Sequence, residues 1–111
     1  MGEYQHALKY YEQMMHETQL TIANCHMGMG RAMYGIMSYG NALKYYQTSL
    51  TIRERELGKD HEQVGLCYSR VGVALCRDGE MHKSLINLGK AKEIQERVLP
   101  SNSLDLAETY N

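Results

Sequence analysis

The chain repeats itself at a fixed offset of 42 residues, and this regularity constrains its fold more than any other feature. Residues 22–53 match residues 64–95 position by position, so that Gly30 aligns with Gly72. The same offset continues beyond the second copy. Periods between about 20 and 50 residues are typical of proteins that stack small structural units. The sequence therefore predicts an array of similar units, and 111 residues leave room for one domain.

Each unit is rich in residues that favour helices. Proline occurs once and β-branched residues are sparse, while Leu, Met, Ala, Glu, Gln and Lys dominate. Apolar residues recur at three- and four-residue spacing, which indicates one buried face per helix, and two kinds of helix alternate. We expect an all-α fold. The predicted helices span 3–16, 18–34, 39–57, 61–77 and 81–98, and a further helix starts at 103.

Helix ends are marked by capping and turn residues. Asp60 with Gln63 predicts a helix start, because a short polar side chain can cap the first free amides. Asp78 and Gly79 predict a helix end followed by a tight turn. Met37 stands where Gly79 stands in the next unit, and we therefore expect a differently built turn at Met37.

The first helix pair is shorter than the second by seven residues. Ala7 and Ile22 are 15 residues apart, whereas the aligned residues Ala42 and Val64 are 22 apart. Seven residues are close to two helical turns. We therefore expect the later helices to extend by two turns while keeping the same face toward their neighbours.

The repeated residues resemble the tetratricopeptide repeat, a helix-turn-helix unit with a large-Gly pair in its first helix and small residues in its second. The matching positions are Tyr68, Val71, Gly72, Leu75, Ser84, Leu88 and Ala91 in one copy, and His26, Met29, Gly30, Met33, Ala42, Tyr46 and Ser49 in the other. The 42-residue period is similar to the subclass found in kinesin light chains. The resemblance implies a right-handed α-α superhelix of antiparallel helix pairs. It divides residues 1–111 into a partial unit 1–17, units 18–57 and 60–98, and the start of a further unit 102–111.

Two glycines fall where the first helix of each unit must pass close to the second. A side chain at Gly30 or Gly72 would separate the two backbones, so alanine at either position should destabilise the fold. The sequence begins in what would be the second helix of a unit and ends in what would be the first helix of another, which leaves apolar ends uncovered. We therefore expect a longer array, a truncated product, or self-association through the uncapped ends.

A partner-binding groove follows from the resemblance, because tetratricopeptide arrays generally hold a peptide or helix along the surface formed by their first helices. Arg31 and Arg70 could pair with carboxylates or phosphate, and Met27 could supply an adaptable apolar contact. Ordinary solvated ion pairs are the alternative for both arginines. The predicted partner-binding residues are Asn24, Met27, Arg31, Tyr34, Ser69, Arg70, Val73 and Arg77.

Composition argues against several other functions. With 12 basic and 13 acidic residues mixed along the chain, no charge pattern indicates nucleic acid or an anionic membrane. No apolar run approaches a membrane span. The odd number of cysteines, three without regular spacing, and the lack of a secretory signal indicate a reducing, cytoplasmic setting.

Chemical sites other than the groove find little support in the sequence. Cys25, Cys67 and Cys76 lack metal-ligand spacing, and we expect buried, inert thiols. We also expect most of the eight methionines and nine tyrosines in the core. No catalytic residue, metal or cofactor is predicted. The leading hypothesis is a non-catalytic scaffold that binds a protein or peptide partner. A targeting segment of a larger enzyme and a self-associating chain remain alternatives.

Overall fold

The structure is a computed structural model that describes residues 2–98. Within this range the chain forms four α-helices. They are α1 (Gly2–Gly35), α2 (Tyr39–Leu57), α3 (Glu62–Arg77) and α4 (Met81–Val98). No strand occurs within this range, and the predicted all-α fold is confirmed. The helix predicted to start at 103 lies outside the described residues. None of the four helices combines the length and apolar character that crossing a membrane requires.

The helices stack as neighbours in chain order. The helix α2 packs against both α1 and α3, and α4 packs against α3. The core lies mainly between α2 and α3, because each contributes side chains from one face. Its fully or nearly buried residues include Ala42, Tyr46, Cys67, Val71, Ala74 and Leu75.

Glycine allows the close approach of each helix pair. A Cβ atom built on Gly72 would lie 2.6 Å from Cγ of Leu88, and one on Gly30 would lie 2.6 Å from the ring of Tyr46. At the same crossing, the Ser84 hydroxyl donates a hydrogen bond to the Gly72 carbonyl at 2.6 Å. Both glycines therefore lie where the repeat pattern predicted helix contact.

The helix α1 corrects the predicted boundaries, because residues 3–16 and 18–34 form one continuous helix of 34 residues. No glycine or proline interrupts residues 3–27, whereas Gly58 ends α2 with a φ of 89°. The later pair has seven more residues between its aligned positions than the first pair, and these extra residues include the turn between two helices. The expectation that they only lengthen the later helices is therefore wrong. His16 lies 2.8 Å from Glu56, near the end of α2, and residues 2–15 extend beyond it.

The turn between α1 and α2 also differs from expectation. Met37 adopts a left-handed φ of 65°, comparable with the φ of 88° at Gly79. The backbone amide of Ser38 donates to the Met33 carbonyl as that of Glu80 donates to Leu75, each at 2.8 Å. The two turns therefore share one geometry although only one contains glycine.

The start of α3 is capped by His61 rather than Asp60. The backbone amide of Gln63 donates to Nδ1 of His61 at 3.0 Å. Asp60 instead accepts a hydrogen bond from Arg97 at 3.0 Å. The predicted position of the helix start was correct within one residue, but the capping side chain was not.

Candidate partner-binding groove

A groove runs between α1 and α3, with α2 behind it. It contains a cavity of about 270 Å³, lined by Tyr34, Tyr46, Leu66, Ser69, Arg70 and Val73. Four of the eight predicted partner-binding residues, Tyr34, Ser69, Arg70 and Val73, meet there. Successive first helices of a repeat stack face the same side, which explains why residues from α1 and α3 converge.

The cavity wall is largely apolar. Leu66 and Val73 on α3 are 39% and 42% exposed, so both present aliphatic surface to solvent. On the opposite side, the ring of Tyr34 meets the ring of Tyr39 edge-on, with centroids 5.4 Å apart. Apolar walls with a few polar groups are typical of sites that bind other molecules.

Tyr46 lines the cavity, although the sequence analysis assigned it to the packing between helices and not to the groove. Its repeat position predicts a core residue, and it is only 2% exposed. A buried tyrosine usually needs a polar surrounding for its hydroxyl group. A tyrosine at a core position was therefore the feature of the sequence that could have indicated a polar site beside Tyr46.

Positive charge surrounds the Tyr46 hydroxyl. Burial raises the pKa of Tyr46, and the guanidinium charges of Arg70 and Arg31 partly offset this rise. Arg70 lines the cavity, whereas Arg31 on α1 is exposed and does not line it.

Arg70 has unused hydrogen-bonding capacity. Its Nε atom is buried and has no hydrogen-bond partner in the described part of the protein. Within residues 2–98, no carboxylate forms an ion pair with Arg70 or Arg31. An anionic group entering the cavity would therefore meet the unpartnered Nε–H of Arg70.

Arg77 borders the groove without lining the cavity. Its Nε atom donates a hydrogen bond to the Tyr34 hydroxyl at 3.2 Å, which joins the end of α3 to the end of α1. This hydrogen bond raises the pKa of Arg77, which therefore remains charged. The contact holds Tyr34 against the cavity edge.

The remaining two predicted groove residues have other surroundings. Met27 is 7% exposed and belongs to the core cluster, so the expectation that it is open to a partner is wrong. Asn24 is exposed, but its amide oxygen accepts a hydrogen bond from the buried Arg53. Arg53 also donates to Sγ of Cys67 at 3.2 Å, and thereby links α1, α2 and α3.

Two expectations about buried side chains are corrected. Cys67 is buried, but Cys25 and Cys76 are exposed. No group of three His, Cys, Asp or Glu side chains in residues 2–98 is arranged to hold a metal ion. Many tyrosines and methionines also lie on the surface rather than in the core; these are Tyr10, Tyr11, Met14, Met15, Met29, Met37 and Met81.

Comparison with known families agrees with the helical repeat. Residues 29–63 match the model of a family described as Tetratricopeptide repeat. The match runs from the end of α1 through α2 to the start of α3. No curated protein matches the sequence. Tetratricopeptide repeats generally serve as scaffolds for protein interaction. The chain is therefore similar to a tetratricopeptide repeat over residues 29–63, within an all-helical stack of helix pairs.

Proposed function

We propose that the chain is a non-catalytic, cytoplasmic scaffold that binds an acidic peptide or helix of a partner protein in the groove between α1 and α3. The observation that carries this proposal is the cavity in which Arg70 and Tyr46 lie beside aliphatic side chains. Such a combination suits a partner segment that offers both an apolar side chain and a carboxylate or phosphate group. The units 18–57 and 60–98 would each contribute one wall.

The binding energy in this proposal comes from several modest contacts. Leu66 and Val73 offer apolar area, and burying such area contributes about 25 cal/mol per Å². The unpaired Nε of Arg70 gains a charge-assisted hydrogen bond when an anionic group enters. Because the helices already hold these groups in place, binding requires little ordering of the groove.

The test is affinity capture from a lysate of the source cells with identification by mass spectrometry. The natural chain is compared with the double variant Arg31→Glu and Arg70→Glu, whose helical content is first verified by circular dichroism. We expect proteins held by the natural chain to be absent from the variant, because reversed charge repels an acidic segment.

The matched control is the double variant Lys44→Glu and Lys92→Glu. It reverses two exposed positive charges on α2 and α4, outside the cavity lining. This control should retain the proteins that the natural chain retains. Equal losses in both double variants, or no loss in the groove variant, would contradict binding in the groove.

A further inference from the structure

An unpartnered apolar stripe runs along α1. Six of its side chains follow one another at intervals of three, four or seven residues; they are Leu8, Tyr11, Met15, Ile22, Cys25 and Met29. All six are exposed. Spacing that alternates between three and four residues is the heptad pattern by which one helix packs along another. We call this stripe the α1 seam.

The same repeat positions are buried in α3. Ile22, Cys25 and Met29 align at the 42-residue offset with residues of α3 that are at most 2% exposed; these are Val64, Cys67 and Val71. The helix α2 supplies their cover. Ser49 on α2 lies 3.9 Å from Cys67, and Arg53 lies 3.2 Å from it. The face that forms the α1 seam is therefore one that, in α3, the preceding helix α2 covers.

The chain contains a segment with the sequence of such a covering helix. Residues 7–11 read Ala-Leu-Lys-Tyr-Tyr and are identical to residues 42–46 of α2. In α2, Ala42 and Tyr46 are buried in the core. Residues 7–11 lie instead on the straight part of α1 beyond α2, where all five are exposed. Because α1 is one continuous helix without a turn, this segment does not fold back onto the seam of its own chain.

We propose that a second copy of this chain covers the α1 seam, with the two α1 helices antiparallel. Residues 7–18 of each copy then lie over residues 22–32 of the other. The pairing is mutual, as a two-fold symmetric dimer requires. It also places each helix N-terminus beside the other's C-terminal half, which is favourable for the helix dipoles. This proposal does not depend on the groove.

The contact between α2 and α3 gives the register. Alignment of Ala7 with Ala42 equates Met14 with Ser49, and the 42-residue offset equates Cys25 with Cys67. The 3.9 Å contact between Ser49 and Cys67 therefore places Met14 of one copy over Cys25 of the other. In the same register Tyr11 lies over Met29, as Tyr46 shares a core cluster with Val71.

The first experiment measures mass by sedimentation equilibrium. The natural chain of 12.7 kDa should sediment as a dimer, with twice the chain mass. The variant Met29→Asp should sediment as a monomer, because it places a charge in the middle of the seam. Met29 is 46% exposed in the single chain, so this variant should keep its helical content.

The control is Ile86→Asp, which introduces the same charge at a residue of α4 that is 49% exposed. It should remain dimeric. A natural chain that is monomeric at all accessible concentrations would overturn the proposal. A dimer that Met29→Asp leaves intact would overturn it as well, because the seam would not be the interface.

The second experiment tests orientation by disulfide formation. Met14→Cys is made together with Cys76→Ser, so that the accessible thiols are the new one and Cys25. On mild oxidation, the antiparallel register predicts an intermolecular bond between position 14 of one copy and Cys25 of the other. Peptide mapping that finds 14 joined to 14, or Cys25 joined to Cys25, would instead show a parallel pair and overturn the arrangement.

Discussion

Single residues set how closely the helices of a pair approach. At Gly72 an added Cβ would meet the side chain of Leu88 at 2.6 Å and its backbone nitrogen at 3.3 Å. A flexible side-chain end could move away, but the Leu88 backbone belongs to α4 and can shift only with the helix. The contact therefore fixes the spacing between α3 and α4.

Gly72→Ala should lower the free energy of unfolding by about 1–3 kcal/mol, because the added methyl group forces the helices apart. The measurement is urea unfolding followed by circular dichroism. Gly89→Ala on α4 is the control, since nothing lies within 4 Å of its added Cβ. It should stabilise the protein by about 0.5–1 kcal/mol through helix propensity alone. Equal effects of the two changes would contradict the close contact.

Met37 holds a backbone conformation that favours glycine. Met37→Gly should raise the free energy of unfolding by about 1 kcal/mol, because left-handed backbone is strained for residues with a Cβ. The side chain is 75% exposed, so its removal sacrifices little packing. Urea unfolding again gives the measurement, and Gly79→Ala, at the equivalent turn, should change stability in the opposite direction. A destabilised Met37→Gly variant would indicate that the side chain has an unrecognised contact.

Helix boundaries depend on connecting residues, which the repeat pattern does not contain. The bounds of α2 and α4 were predicted correctly because Gly58 and Gly79 mark the turns beside them. The break near residue 17 was wrong because periodicity identifies which face is apolar and does not establish that the chain reverses. A continuous helix and two antiparallel helices show the same periodicity over residues 3–34.

The groove was predictable to the extent that it follows from repeat position. Ser69, Arg70 and Val73 were assigned from their places in the repeat, and all three line the cavity. Met27 was assigned by the same reasoning, but its exposure depends on which helices lie beside α1. That information concerns neighbours, and spacing within one helix cannot supply it.

A turn inserted into α1 should allow the first half of this helix to pack against its own chain. We expect a copy of residues 57–63, inserted between Thr21 and Ile22, to let the segment before it fold back over the α1 seam. The variant should be monomeric and more stable, because apolar seam residues become buried within one chain. Sedimentation and urea unfolding provide the measurements.

The control for this insertion is a helical insert of equal length, Ala-Glu-Ala-Ala-Ala-Lys-Ala, at the same place. Seven residues preserve the heptad phase of α1, so the helix should remain continuous and the seam unbroken. That variant should stay dimeric. A dimer formed equally well by the turn-containing insert would show that the break in α1 does not control association.

At the scale of the whole molecule, the stack is elongated and unevenly covered. Its radius of gyration is 17.1 Å, compared with about 13 Å expected for a compact domain of this size. The side chains of residues 5–15 are all exposed, whereas α3 has neighbours on two faces. Because repeat units contact only their neighbours, local stability should be highest where a helix packs against neighbours on both sides.

Hydrogen exchange should show this gradient in the monomeric Met29→Asp variant. Amides of residues 2–15 should exchange fastest, through fraying of the exposed end of α1, and those of α3 should exchange only by global unfolding. In the natural chain at high concentration, residues 2–15 should become protected. Uniform protection along the Met29→Asp chain would contradict a stack whose stability depends on neighbouring helices.

The continuous helix α1 changes how this fold responds to the amount of protein present. A short loop keeps a covering helix at an effective concentration in the millimolar range, whatever the abundance of the protein. Without that loop, cover for the seam depends on the actual concentration of a second chain. Dilution then uncovers the seam, so the completeness of the first unit depends on the expression level.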